Sequence, residues 1–181
     1  MNIKKTSKYL SYVLRHKPEV INLNMDEHGW VDIDELLTKM QGAGKKIDFE
    51  ILKTVVANND KQRFKIDFEQ HKIRANQGHS IDIELNLTET TPPPLLYHGT
   101  ATRFLEPIKA TGLQKMNRQH IHLSQDYETA VKVGQRHGKV VILEVEALKL
   151  AQTGCKFYLS DNKVWLTDHV PVEFIRFGEI N

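Results

Sequence analysis

The pair Arg15-His16, followed by Lys17 and Pro18, combines a planar guanidinium fork with an imidazole that titrates near neutral pH. That pairing suits phosphate binding coupled to proton transfer. Cations at a helix C-terminus are also stabilised by the helix dipole, which is reason enough for Lys17. In the run Lys72-Ile73-Arg74-Ala75-Asn76-Gln77-Gly78-His79, the residues Lys72, Arg74 and Asn76 alternate. In a strand they share a face and form a row of phosphate donors, or simply a solvated polar edge. Tyr97-His98-Gly99-Thr100 follows a short apolar stretch. The glycine would admit a ligand close to the backbone, with His98 and Thr100 as flanking hydrogen-bonding groups. His98 taken alone also reads as a satisfied structural histidine. Arg118-Gln119-His120-Ile121-His122-Leu123-Ser124 and Gly134-Gln135-Arg136-His137-Gly138-Lys139 complete the set. His120 and His122 share a strand face, but no third ligand is apparent, and no metal is expected. The Arg136 segment is a basic loop that solvent alone could accommodate.

The usual nucleotide cradles are missing from the sequence. There is no GxGxxG opening a βα unit, no P-loop, no HExxH and no GxSxG. The single cysteine, Cys155, excludes an internal disulfide and fits a reducing, cytoplasmic setting. The basic N-terminus develops no apolar stretch, so no signal peptide is expected, and no run approaches membrane-spanning length. Net charge is +2 over 181 residues, with 27% charged residues. That near-neutral value is a cancellation. Residues 1–18 carry a local +5, residues 19–35 a local −6 and residues 61–79 a local +3. Two basic segments separated by an acidic one are able to converge on one anion site, or to form two solvated faces.

Elements must position these groups. TETTPPP (residues 88–94) reads as a stiff polyproline spacer dividing the chain into residues 1–90 and 91–181. In the first half, Ser7 is expected to cap a helix carrying Tyr9, Leu10, Val13 and Leu14. His28–Val31 should turn into a short extended piece. Asp32 or Asp34 then opens a helix over Ile33–Met40 that Gly42 and Gly44 break. Phe49–Ala57 gives a third helix, and the alternation through Phe64–Phe68 and Lys72–Ala75 a β-hairpin. Three helices and a basic hairpin make the layout of a winged helix. In the second half, strands are expected at Leu95–Tyr97, running into His98-Gly99-Thr100, and at Ile121–Leu123, Val140–Val145, Phe157–Leu159, Val164–Leu166 and Val172–Phe177. Helices are expected at Phe104–Ala110 and Tyr127–Val133. The class is α+β with a β-rich second half, not a doubly wound parallel sheet.

Six motifs occur in order: LRHKPE (14–19), GWVDIDELL (29–37), KIRANQGHS (72–80), LYHGT (96–100), HIHLS (120–124) and GQRHGK (134–139). Together they are similar to the RNA 2′-phosphotransferase family, of the bacterial and archaeal type, over nearly the whole chain. The resemblance implies a winged-helix lobe joined to an ADP-ribosyltransferase-like lobe, with the active site between them. It implies NAD as co-substrate, no metal, and RNA bearing a 2′-phosphate, such as a tRNA splicing product, as partner. It assigns catalysis to Arg15, His16, Arg74 and Arg136, with Arg118 a second candidate for the fourth position. Lys72, Asn76 and Arg118 would support phosphate or RNA binding, and His98, Gly99, Thr100 and Ser124 would contact NAD. The enzyme would be a cytoplasmic monomer.

The implied reaction has two steps, and the residue types suit both. The RNA 2′-phosphate, already anionic, attacks the anomeric carbon of the nicotinamide ribose and expels nicotinamide, which asks for positioning rather than acid–base help. The ribose 2″-hydroxyl then attacks phosphorus. The products are 2′-hydroxyl RNA and ADP-ribose 1″,2″-cyclic phosphate. Arginine forks serve the phosphorane charge, and His16 serves as acid or base. Two other functions fit parts of the sequence. An ADP-ribosyltransferase acting on protein or on nucleic-acid terminal phosphates would stop before the second step. A winged-helix nucleic-acid binder would need no chemistry, but its candidate recognition helix carries Asp34 and Glu35, a poor face for a polyanion.

Overall fold

A computed structural model describes residues 2–178. The chain divides after Asn86 into two compact units. Each has its own apolar cluster.

The first unit opens with helix α1 (Ile3–Arg15), whose N-terminus is closed by Asn2, its side chain accepting the Lys5 N–H. The helix therefore starts ahead of Ser7, because an earlier side chain satisfies its first orphan N–H groups. Leu10, Val13 and Leu14 form its buried stripe. A 3₁₀ turn (Pro18–Ile21) follows, with Pro18 at its first position. Strand β1 (Val31–Asp32) runs into helix α2 (Ile33–Gly42), and Asp32 caps it by accepting the Glu35 N–H at 2.9 Å. Gly42 lies inside α2 rather than breaking it, and the left-handed turn falls at Gly44. Helix α3 (Phe49–Ala57) has the same kind of Asp cap, at Asp48. Strands β2 (Phe64–Asp67) and β3 (Lys72–Ala75) form the hairpin, and β1 pairs with β3, so the sheet order is β1-β3-β2, all antiparallel. Val31, Phe64, Ile73 and Ala75 turn inward onto the helices, which leaves Lys72 and Arg74 on the opposite face.

The second unit is built around strand β4 (Leu96–Ala101). A 3₁₀ turn (Thr102–Phe104), helix α4 (Leu105–Thr111) and short strands β5 (Leu113–Gln114) and β6 (Ile121–Leu123) come next. Helix α5 (Tyr127–Gly134), capped by Asp126, leads to strand β7 (Val140–Val145), whose strictly alternating burial matches its β-branched sequence. Helix α6 (Ala147–Gln152) and strands β8 (Phe157–Leu159), β9 (Trp165–Thr167), β10 (His169–Val170) and β11 (Ile175–Phe177) complete it. Its sheets are antiparallel and small: β11-β7-β4, β6-β9-β8 and β10-β5. The expected strand over Val172–Phe177 is a 3₁₀ turn (Val172–Phe174) followed by β11, and the one at Val164–Leu166 begins a residue later. The fold is thus α+β with small antiparallel sheets. Among the described residues, no helix is long and apolar enough to cross a membrane.

Candidate functional site

In the first unit, the end of α1 and the segment after β3 meet. The Ser80 N–H donates to the Arg15 carbonyl at 2.9 Å, and the Ser80 hydroxyl lies 2.9 Å from His16 Nδ1. Arg15 and His16 are both half-buried. His79, the residue before Ser80, is 1% exposed, with no hydrogen-bond partner on either ring nitrogen among the described residues. Burial pushes the His79 pKa down to about 4, and the positive charges of Arg15, His16 and Arg74 push it the same way. His79 is therefore neutral at pH 7, and the three expected catalytic groups of this unit lie near enough for their charges to act on it.

Arg74 lies on β3 with its guanidinium carbon 4.7 Å from the centroid of the Trp30 ring. Lys72, one step along the same face, approaches Asp26 Oδ2 at 4.0 Å. The expected row does not extend cleanly to Asn76. Its Nδ2 donates to the Gln62 carbonyl at 2.6 Å and the residue is buried, so its side chain ties the strand to the preceding turn.

In the second unit, backbone pairing fixes the groups on β4. Tyr97 and Ser124 exchange two hydrogen bonds, Tyr97 N–H to Ser124 carbonyl at 2.7 Å and Ser124 N–H to Tyr97 carbonyl at 2.8 Å. His98 Nδ1 donates to the His122 carbonyl at 3.0 Å, which leaves Nε2 as a free acceptor in the neutral ring. Desolvation lowers the His98 pKa against that hydrogen bond, with His137 adding to the lowering, so the ring stays neutral. Thr100 is buried. The Ser124 hydroxyl donates to the Asp126 carbonyl and accepts from the Asp126 N–H, a local turn that starts α5. The Tyr97 and Tyr127 rings meet edge to face, with centroids 5.5 Å apart.

Gly99 has a packing role that its sequence context did not reveal. A Cβ there would lie 1.8 Å from the Ala130 carbonyl oxygen, so the absence of a side chain lets α5 lie directly on β4. Gly134 acts likewise against the Thr100 carbonyl. These contacts fix the end of α5, from which Arg136 projects in an exposed turn with its N–H donating to the Val133 carbonyl. Arg118 lies instead 3.5 Å from His122 Nδ1, on the residue whose carbonyl holds His98. His120 packs on the Tyr158 ring and has a pKa lowered mainly by burial. Among the described residues, no group of three or more His, Cys, Asp or Glu side chains is placed to hold a metal ion.

Sequence reasoning did not nominate Trp30 or Ser80 as parts of this arrangement. Their only signal was membership of GWVDIDELL and KIRANQGHS, since the contacts that give them meaning join residues 44 and 64 positions apart.

An α+β chain with a compact cationic cluster in one unit and a glycine-packed strand and helix in the other defines the class of protein. The profile of the RNA 2′-phosphotransferase, Tpt1 / KptA family matches residues 2–169. The chain is 55% identical over 174 residues to a probable RNA 2′-phosphotransferase of Flavobacterium johnsoniae, covering 96% of both chains. It is 52% identical over 174 residues to one of Fusobacterium nucleatum, covering 96% of this chain and 97% of that one. It is 53% identical over 173 residues to one of Hahella chejuensis, covering 96% and 93%. The protein belongs to the RNA 2′-phosphotransferase family.

Proposed function

We propose that this enzyme removes an internal 2′-phosphate from RNA by transferring it to NAD, through an ADP-ribosylated RNA 2′-phosphate. Residues 1–90 act as a winged-helix lobe, a reading supported by the helix and strand order and by the β1-β3-β2 pairing. Residues 91–181 act as an ADP-ribosyltransferase-like lobe that takes NAD. The enzyme works as a cytoplasmic monomer on tRNA-like substrates and needs no metal.

The observation that carries this reading is the cluster around His79. Every charge that lowers its pKa is positive, and Arg15, His16 and Arg74 supply them. A group of two arginines and a histidine suits a multiply charged anion, and a terminal phosphate is such a group. In the first step Arg15, Arg74 and Arg136, assisted by Lys72, align the RNA 2′-phosphate with the anomeric carbon. A phosphate oxygen forms the new C–O bond as the bond to nicotinamide breaks, and nicotinamide leaves neutral. His98, with an acceptor at Nε2, holds a ribose hydroxyl, while Gly99, Thr100 and Ser124 line the NAD site beside it.

In the second step the ribose 2″-oxygen bonds to phosphorus and the bond from phosphorus to the RNA 2′-oxygen breaks. One proton leaves the attacking hydroxyl and one reaches the departing oxygen. His16 moves these protons, and the arginines bear the charge that grows on the phosphorane. The test uses a short RNA with one internal 2′-phosphate. Loss of the phosphate should require NAD, release nicotinamide and survive EDTA. Activity without NAD, or loss of activity on chelation, would overturn the proposal.

A further inference from the structure

We propose that the exposed side of α1 is a track for the single-stranded RNA flanking the 2′-phosphate, with Tyr12 stacking on a base and Lys5 and Lys8 holding backbone phosphates. This rests on the reading of Arg15 as a phosphate ligand and extends that site along the helix. At about 3.6 residues per turn, Lys5, Lys8, Tyr12 and Arg15 fall on one side of α1. The buried stripe of Leu10, Val13 and Leu14 lies on the other. Lys5 and Lys8 are exposed, and Tyr12 is 42% exposed. The helix rises about 1.5 Å per residue, so this side runs roughly 15 Å from Lys5 to Arg15.

Lysines alone are what any solvated helix face can carry. Three features set this one apart. No acid occurs in residues 1–18, so no carboxylate interrupts the row. Aromatic rings are interleaved with the charges: Tyr9 and Tyr12 have centroids 6.4 Å apart, tilted by 42°. Lys45, from the loop after α2, brings its Nζ to 4.3 Å from the Tyr9 ring centroid and adds a cation at the border. The row also ends at Arg15, next to His16, where the phosphate would be held.

The other helices of this unit are less suited to a polyanion. Helix α2 opens with Asp34 and Glu35, and its Lys39 is paired with Glu35. On α3, Lys53 pairs with Glu50 at 2.7 Å. In helix-turn-helix proteins the second helix of the motif reads the nucleic acid. Here charge favours the first helix of the unit. A lysine holds a phosphate as a point charge, and an exposed ring stacks on any base. The track therefore adds affinity around the 2′-phosphate without selecting a sequence.

The test compares wild type, K5Q/K8Q, Y12A and Y12F on two ligands. One is a dinucleotide carrying the 2′-phosphate, and the other is the same dinucleotide extended by unpaired nucleotides on both sides. Extension should tighten wild-type binding and steepen its salt dependence. On the long RNA, K5Q/K8Q should weaken binding roughly tenfold and lower the slope of log Kd against log salt by about 1.4, at about 0.7 per phosphate contact. Y12A should weaken it roughly tenfold, and Y12F, which keeps the ring, should recover most of that loss. The same substitutions should cost the dinucleotide clearly less. A wild type that gains nothing on extension overturns the proposal and leaves the phosphate reading intact. Equal losses on both ligands overturn it too, as does K5Q/K8Q binding the long RNA like wild type. If the wild type does not distinguish the phosphorylated dinucleotide from its 2′-hydroxyl counterpart, the reading of Arg15 fails, whereas losses confined to the long RNA still support the track.

Discussion

His16 and Ser80 are joined at 2.9 Å between Nδ1 and the hydroxyl, while the Ser80 amide donates to the carbonyl of the neighbouring Arg15. One serine thus fixes the imidazole that would move protons and the backbone beside the arginine that would hold the phosphate. A hydrogen bond of this kind contributes about 1 kcal/mol net, or roughly a fivefold effect on a rate that depends on ring orientation. S80A is expected to slow phosphate removal by about that factor, with little change in melting temperature, and S80T to restore it. Single-turnover assays with 2′-phosphorylated RNA measure this. A rate within experimental error of wild type would show that His16 is oriented by other contacts.

In the proposed mechanism His16 distinguishes the two chemical steps. Attack by a phosphate already ionised at neutral pH needs no proton transfer, whereas transesterification needs a proton removed and another delivered. H16A should therefore slow the second step by roughly 10²-fold or more while sparing the first, so that RNA carrying ADP-ribose on its 2′-phosphate accumulates. Labelling with NAD bearing radioactive phosphate would reveal that species on a gel. Equal slowing of both steps would rule out an acid–base role for His16.

Gly99 and Gly42 should respond to alanine in opposite directions. At Gly99 the new Cβ would stand 1.8 Å from a backbone oxygen of α5, and a helix backbone cannot yield as a flexible side chain can. G99A is expected to cost about 3 kcal/mol or more and to depress activity by displacing α5 from β4. At Gly42, inside α2, nothing lies within 4 Å of the added Cβ. G42A should stabilise by about 0.5–1 kcal/mol through the lower entropy of the unfolded chain. Urea titration of the two variants checks both signs. A stable, active G99A would mean that α5 does not pack on β4 as described.

The elements that were legible in the sequence are those whose burial and local chemistry agree. The α3 stripe of Leu52 and Val55 and the alternating Val140–Val145 strand carry their own period, and Asp32, one of the two expected caps, closes α2, whereas the Asp48 cap of α3 was not singled out. Helix α6 was not legible. It is six residues long, follows β7 almost directly and has no side-chain cap at its start. The α1 boundary was misplaced because Ser7 and Asn2 are both good caps, and the longer helix uses the earlier one. For the site, Arg15, His16, Arg74 and the His98-Gly99-Thr100 segment stood out by residue type. Their contact partners did not. Trp30 meets Arg74 through strand pairing, Ser80 meets His16 through a turn that returns to α1, and Gly99 meets a helix about thirty residues away. Each depends on long-range register, which composition and spacing do not carry.

His79 makes the cationic cluster measurable as a pH dependence of stability. Its folded pKa of about 4 lies below the ordinary value of 6.5. On acidification the unfolded chain takes up this proton first, so stability is unaffected by His79 above about pH 6.5, falls as pH drops from there to about 4, and levels off below. The loss attributable to this residue is about 2 kcal/mol at pH 5. Carboxylates held down by their partners, among them Glu35 through its Lys39 hydrogen bond, lose stability on acidification as well, so the comparison must be between variants. H79Q has no titrating ring at this position, and its urea midpoint should fall less steeply than that of wild type between pH 7 and pH 5. Replacing Arg74 by Gln should raise the His79 pKa and so reduce the stability lost on acidification below about pH 6.5, since one of the charges that depress it is gone. If wild type and H79Q lose stability in parallel, His79 is not the buried neutral centre of Arg15, His16 and Arg74.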